Sequence, residues 1–205
     1  MIPSHTQAPA PVPLRRTLRA LRRAIPKVQR QLAARKLAMY ADRAQLLRQG
    51  QRVALYLALP EEIAASALLD RALARGCRVH LPRIIDTRRN RMVFVAARGP
   101  LRRGRWGVLE PANSELVGTR RLQVIFMPLV GFDAAGNRMG MGKGFYDRAL
   151  SFRLHQPGIR RPLLVGLAFA CQEVPSLPVR HHDVPLDMVI TEQGVRRFPN
   201  RHPVT

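Results

Sequence analysis

Gly140, Gly142 and Gly144 stand at alternate positions, with Lys143 between the last two and Phe145, Tyr146, Asp147 and Arg148 directly after them. Glycine admits positive φ and lets a ligand come close to the main chain. Alternating glycines turn several N–H groups into one concavity, a nest that suits phosphate. Lys143 adds a positive point charge, and Asp147 adds a carboxylate for a divalent cation that phosphates also bind. Two familiar phosphate motifs do not fit. The dinucleotide fingerprint needs glycine where Phe145 stands, and the Walker A pattern needs Ser or Thr where Gly144 follows Lys143. A plain turn is the competing reading of any glycine triplet. The embedded lysine, the preceding apolar run and the Tyr-Asp-Arg tail favour phosphate.

The elements that position this loop follow from periodicity. Residues 124–132 form an apolar run that reads as a buried strand, and 145–153 can start a helix. Strand, glycine loop and helix place phosphate at a helix N-terminus. Upstream, Leu14, Leu18, Leu21 and Ile25 follow helical spacing, with five arginines between them. Pro26 suits the first turn of a second helix, expected to run to about Gln49 with Gly50 closing it. Strands are expected at 53–59, 78–81, 92–96, 163–168 and 188–191, and a helix at 66–75 ended by Gly76. This alternation predicts an α/β fold with a largely parallel sheet. Residues 175–185 read as a loop on the ligand side. The first thirteen residues are Pro- and Ala-rich and are expected to be a disordered arm. One catalytic domain is expected over 14–198, and a tail over 199–205.

A chain of 205 residues, 46% hydrophobic, can bury one good core. No apolar run is long enough to span a bilayer. Cys77 and Cys171 are isolated, which suggests buried thiols in a reducing cytoplasm, with Cys171 packed rather than nucleophilic. The net charge is +22, of which +10 lies in the first 50 residues. Such a surface steers anions inward and allows nonspecific binding of nucleic acid. With aromatic content at 5% and no stacking motif, solvated helix faces account for it better. His181, His182 and Asp183 offer transition-metal ligands, but no second His or Cys cluster completes a tetrahedral set.

The loop, Arg138-Met-Gly-Met-Gly-Lys-Gly-Phe-Tyr-Asp-Arg148, closely resembles the signature of 5-formyltetrahydrofolate cyclo-ligases. Met139 replaces the family's leucine, and Phe145 replaces its first tyrosine and lacks the hydroxyl. The likeness extends over roughly residues 14–195. It includes the Leu14-Arg-Arg-Thr-Leu-Arg19 helix, the Tyr56-Leu-Ala-Leu-Pro-Glu-Glu-Ile63 segment and Trp106-Gly-Val-Leu-Glu-Pro111. It continues through Val165-Gly-Leu-Ala-Phe169, Gln172, His182-Asp-Val-Pro-Leu-Asp187, Thr191 and Glu192. The shared order of these pieces carries the resemblance.

The resemblance implies a three-layer α/β/α sandwich around a mixed, mainly parallel sheet. It implies cyclisation of 5-formyltetrahydrofolate to 5,10-methenyltetrahydrofolate by a cytoplasmic monomer, with ATP as co-substrate and Mg2+ as cofactor. It assigns ATP contacts to Arg15, Arg19, Arg138, Met139, Gly140, Met141, Gly142, Lys143, Gly144, Phe145 and Tyr146, with Lys143 and Arg138 catalytic. It assigns folate contacts to Leu57, Glu62, Trp106 and Phe145, and the metal to Asp147 and Asp183. From residue type alone, Leu57 and Trp106 are more often core packing. Glu61 competes with Glu62 for the folate contact, with an exposed turn charge as the plain reading, and the arginines suit a solvated face and each Asp a turn or cap. The competing functions are a nucleic-acid-binding protein built on the basic helices, and a sugar-phosphate or CoA enzyme on a similar scaffold.

Overall fold

The structure is a computed structural model, and it describes residues 12–104, 109–112, 115–156 and 161–199. The expected arm over 1–13 and the tail after 199 lie almost wholly outside these residues. The elements in chain order are α1 (Val12–Ala24), α2 (Lys27–Arg43), β1 (Arg52–Ala54), α3 (Ser66–Ala74), β2 (Arg78–Asp86) and β3 (Arg91–Ala96). There follow β4 (Leu101–Arg103), β5 (Leu109–Pro111), β6 (Leu116–Val117), β7 (Val124–Pro128), β8 (Gly131–Asp133) and β9 (Arg138–Met139). The chain ends with α4 (Phe145–Leu150), α5 (Phe152–His155), β10 (Leu163–Leu167), β11 (Glu173–Val174), β12 (Met188–Thr191) and β13 (Gly194–Arg197).

Eight strands form the main sheet in the order β13-β12-β10-β7-β1-β2-β3-β6. The pairings from β12 through β10, β7 and β1 to β2 are parallel, and the outer ones are antiparallel. The mainly parallel, mixed sheet of a single α/β domain is therefore present. Its centre is buried on both faces. In β7, Val124 and Phe126 join one core with Leu37 and Ala41 of α2 and Leu68 and Ala72 of α3. Ile125 and Met127 point the other way, into a second core with Leu150 of α4. This is why 124–127 reads as an unbroken apolar run: a central parallel strand has no solvent face.

Several expected boundaries move. The second helix stops at Arg43, not near Gln49. Gln45 takes φ +57, and the Leu46 N–H bonds back to Ala41 O at 3.0 Å. This turn drops Leu46 and Leu47 into the core, an apolar gain that helix propensity could not reveal. The strand expected over 53–59 leaves the sheet after Leu55, whose N–H donates to His80 O at 2.9 Å. Beyond it, Tyr56 donates its hydroxyl to Ile63 O at 2.8 Å, and Leu59 donates its N–H to Glu62 Oε2 at 2.9 Å. The strand expected over 124–132 splits into β7 and β8. Buried donors seize the break: Arg22 Nη1 bonds Leu129 O at 3.1 Å, and Gln172 Nε2 bonds Leu129 O at 2.7 Å and Val130 O at 3.0 Å. β2 runs five residues past its expected end at Leu81 and makes a hairpin with β3, and α4 and α5 divide the helix expected over 145–153.

Asp133 secures the hairpin that delivers the glycine loop. It is 2% exposed and accepts N–H bonds from Ala135, Asn137 and Leu177, each at 3.0 Å, and from Asn137 Nδ2 at 2.8 Å. Removing a buried charged acceptor strands its donors. Asp133→Ala is expected to lower unfolding stability by about 3–5 kcal/mol, and Asp133→Asn by less, measured as a shift in the urea midpoint. A pH effect comes from His80 in β2. Burial lowers its pKa from the ordinary 6.5. The folded pKa lies below the unfolded one, so the unfolded chain takes the proton first as pH falls. The stability is whole above about 6.5 and is lost below it, by up to ~1.4 kcal/mol per pH unit. The midpoint gap between wild type and His80→Gln should therefore narrow from pH 7.5 to pH 5.

Candidate active site

A cavity of about 500 Å³ opens where the central strands end. Ligands of open α/β sheets gather outside the carboxyl ends of the strands, and the same topology operates here. β7 ends in Pro128 and Leu129 at its floor, and the segment after β1 brings Tyr56, Leu57, Leu59 and Glu62. The β2–β3 hairpin adds Pro82, Ile84 and Met92, and β5 adds Glu110. The glycine loop lines the cavity from Arg138 to Asp147, and Pro178, Val179, Arg180, His182 and Asp183 complete the lining. The last group lies within the 175–185 loop expected on the ligand side.

The loop needs its glycines. Gly142 has φ +91 and Gly144 has φ +67, conformations that L side chains resist. Arg15 of α1 donates Nε to Gly140 O at 3.0 Å, and its guanidinium carbon lies 3.7 Å from where a Gly142 side chain would begin. Lys143 is exposed on the cavity wall, its ammonium available to an anion. Arg138 is ion-paired to Asp147, whose Oδ1 also accepts the Val184 N–H at 3.2 Å. The loop is thereby tied to the segment after Asp183. Arg138 Nε has no protein partner among the described residues, so this buried cation retains a donor.

The apolar side of the cavity is built around Glu62, 8% exposed. Burial pushes its carboxyl up, against the Leu59 N–H and the charge of Arg22. Burial likewise raises the phenols of Tyr56 and Tyr146, and the Glu62 charge adds to it. Both phenols stay neutral; Tyr56 spends its hydroxyl proton on Ile63 O, and Tyr146 can donate. Leu57 and Phe145 share this wall. Trp106 lies outside the described residues.

Asp147 and Asp183 line the same cavity, although no group of three or more His, Cys, Asp or Glu gathers among the described residues. That leaves the His181-His182-Asp183 zinc alternative without its further ligands. It suits magnesium, which commonly takes one or two carboxylates and completes its shell with phosphate and water. Asp147 has Oδ2 left over from its pairings, and Asp183 spends Oδ2 on the Arg180 N–H at 2.8 Å while Oδ1 sits 3.8 Å from His182 Nε2. The donor set fits the ion.

Thus Arg15, Leu57, Glu62, residues 138–147 and Asp183 meet in one cavity. Arg19 does not join them: its Nε donates to Glu61 Oε1 at 2.6 Å, outside the lining. Sequence reasoning did not single out Tyr56, Glu110, Arg180 or the hairpin residues as site residues. Tyr56 and Glu110 sat inside recognisable segments, but nothing in their spacing told which way the side chains face. Pro82 and Ile84 gave no signal, because β2 extends beyond the strand that periodicity marks, and Met92 read only as the start of a strand.

Comparison with known proteins agrees with this geometry. A family model described as the 5-formyltetrahydrofolate cyclo-ligase family matches residues 9–192. The chain is 32% identical to a 5-formyltetrahydrofolate cyclo-ligase of Haemophilus influenzae, over 84% of this chain and 92% of that protein. It is 35% identical to the Escherichia coli K12 protein of that name, over 70% of this chain and 79% of the other. The fold superposes on a 5,10-methenyltetrahydrofolate synthetase of Aquifex aeolicus with TM-score 0.76 and 28% identity, covering 94% of this chain and 95% of that one. With the glycine loop, the buried glutamate and these likenesses together, the chain belongs to the 5-formyltetrahydrofolate cyclo-ligase family of enzymes.

Proposed function

We propose that this protein converts 5-formyltetrahydrofolate and ATP to 5,10-methenyltetrahydrofolate, ADP and phosphate, with magnesium as cofactor. The observation that carries the reading is one cavity lined both by a glycine–lysine loop and by a buried carboxylate among apolar side chains. The loop suits polyphosphate. The carboxylate suits a flat heterocycle whose N–H edge needs an acceptor.

The chemistry assigns loop and carboxylate their tasks. The formyl oxygen on N5 is a poor leaving group. Transfer of the γ-phosphoryl group to that oxygen breaks the bond to ADP and makes the oxygen departable. The N10 lone pair then forms a bond to the formyl carbon, N10 gives up its proton, and the C–O bond breaks as phosphate leaves. The methenyl bridge remains. Lys143, the loop N–H groups and the spare donor of Arg138 hold the phosphates and offset their growing charge. Arg15 fixes the loop through Gly140 O. Glu62 orients the pterin, while Leu57 and Phe145 exclude water beside it. Asp147 and Asp183 would hold magnesium, which would supply charge neutralisation to the phosphates. Alignment of two bound substrates is worth several orders of magnitude in rate. Cys77 is buried as expected, whereas Cys171, on the short turn before Gln172, is exposed; two free thiols suit action in a reducing cytoplasm.

The decisive assay mixes protein, ATP, magnesium and 5-formyltetrahydrofolate and follows the methenyl absorbance. Growth that needs all three additions supports the reading, and its absence sinks it. Within that assay, Lys143→Ala should raise the ATP Michaelis constant or lower turnover. One charged hydrogen bond, about 1.5–3 kcal/mol, is a loss of roughly 10- to 150-fold in kcat/KM for ATP. The dissociation constant for 5-formyltetrahydrofolate alone should hold within a factor of two or so. Unchanged ATP kinetics would remove Lys143 from the phosphate site.

A further inference from the structure

α1 reaches both the glycine loop and the segment that bears Glu62. Near its start Arg15 bonds the glycine loop at Gly140 O, 3.0 Å. One to two turns on, Arg19 Nε and Arg22 Nη2 meet Glu61 Oε1 at 2.6 and 3.1 Å, and Arg23 Nε stands 3.6 Å from Oε2. Glu61 is the neighbour of Glu62 but lies outside the cavity lining. Arg22 continues to Leu129 O on the cavity floor, and Arg30 of α2 donates to Pro60 O, Glu62 O and Arg22 O. Apolar anchorage of α1 is small by comparison. Leu18 packs with Val130, Met139 and Leu177 in a cluster apart from the two main cores, with Leu14 beside it, and Leu21 is exposed.

We propose that Glu61 is a positioning residue that keeps α1 docked before any ligand arrives, and so serves both subsites at once. The inference rests on reading the cavity as a joint nucleotide and folate site. With the ionic clasp in place, the docked helix dominates, and each ligand meets a formed wall. Without the clasp, each ligand must select the docked minority, and its apparent affinity falls by that fraction. Whichever ligand binds first then restores docking for the second. Loss of Glu61 therefore creates cooperativity where the wild type has none, and linkage makes the factor equal in both directions.

The test is calorimetric titration of the full chain with a non-hydrolysable ATP analogue plus magnesium, and with 5-formyltetrahydrofolate, each alone and with the other saturating. In wild type neither ligand should alter the other's dissociation constant by more than about twofold. In Glu61→Gln both constants should rise by a common factor, on the order of tenfold, and each should recover when the other ligand is present. Arg22→Met, which keeps side-chain bulk and removes the buried arm of the clasp while Arg19 and Arg23 stay paired to Glu61, should shift both constants in the same sense by a smaller factor, again with mutual recovery, and serves if Glu61→Gln fails to fold. Weakening of one ligand only, of both without mutual recovery, or of neither overturns the inference while the site reading stands. A wild type that binds neither ligand overturns the site reading and this inference with it.

Discussion

A guanidinium sealed inside a protein dictates what surrounds it. Arg22 is 1% exposed, and burial lowers its pKa while Glu61 and Glu62 oppose the shift. An arginine remains charged even so. Taking it from water costs several kcal/mol unless acceptors stand ready. Those acceptors are the Glu61 carboxylate, beside the cavity residue Glu62, and the Leu129 carbonyl on the cavity floor. Burial alone would raise the Glu61 carboxyl, but the Arg19 hydrogen bond and the charges of Arg19, Arg22 and Arg23 hold it below the ordinary range. The segment that bears Glu62 and the point where β7 ends are thus fixed to one cation. The site's shape is largely the shape that satisfies it.

The same need explains where β7 gives way. A parallel strand continues as long as its neighbours supply ladder partners. At Leu129 the carbonyl instead receives a guanidinium and a carboxamide, both buried. The chain turns, β8 and β9 form a separate small sheet with β11, and Asp133 ties the corner. Glycines at 142 and 144 then bend the chain toward α4. Each step follows from satisfying polar groups that the apolar layers cannot accommodate.

Local pattern carried much of this into view. The glycine loop, the strand before it and the helix after it were legible because glycine, lysine and an apolar run have few other uses in that order. Glu62 and Asp183 were legible only through likeness to a family, since a lone carboxylate has many roles. What spacing hid was decided across the chain. Leu46 and Leu47 end a helix early because the core beneath α2 takes them. Tyr56 leaves a strand because Ile63 O offers its hydroxyl a partner. Arg19, placed by resemblance on ATP, lies against Glu61. Its neighbour Arg22 looked like one more surface charge in an arginine-rich helix, and only the fold reveals it as the innermost.

The two-sided burial of β7 divides the chain by tolerance to change. From Val124 to Met127 every side chain fills one core or the other, and all four are buried. Inserting one residue there would exchange the two sets of side chains between cores of different shape. Inserting two would keep the faces but push the glycine loop out by roughly 7 Å. Neither change can be absorbed locally. Packing continues through Leu129, Val130, Phe132 and Asp133, all buried. Past Asp133 the constraint relaxes to the few carbonyls and carboxylates that hold the turns, so loops can lengthen or vary where the backbone is not clamped. A scan of insertions along this stretch would trace that border, with an intolerant strand meeting an adaptable rim. New ligand preferences in this fold would then arise by redrawing the rim while the four buried residues beneath it stay as they are.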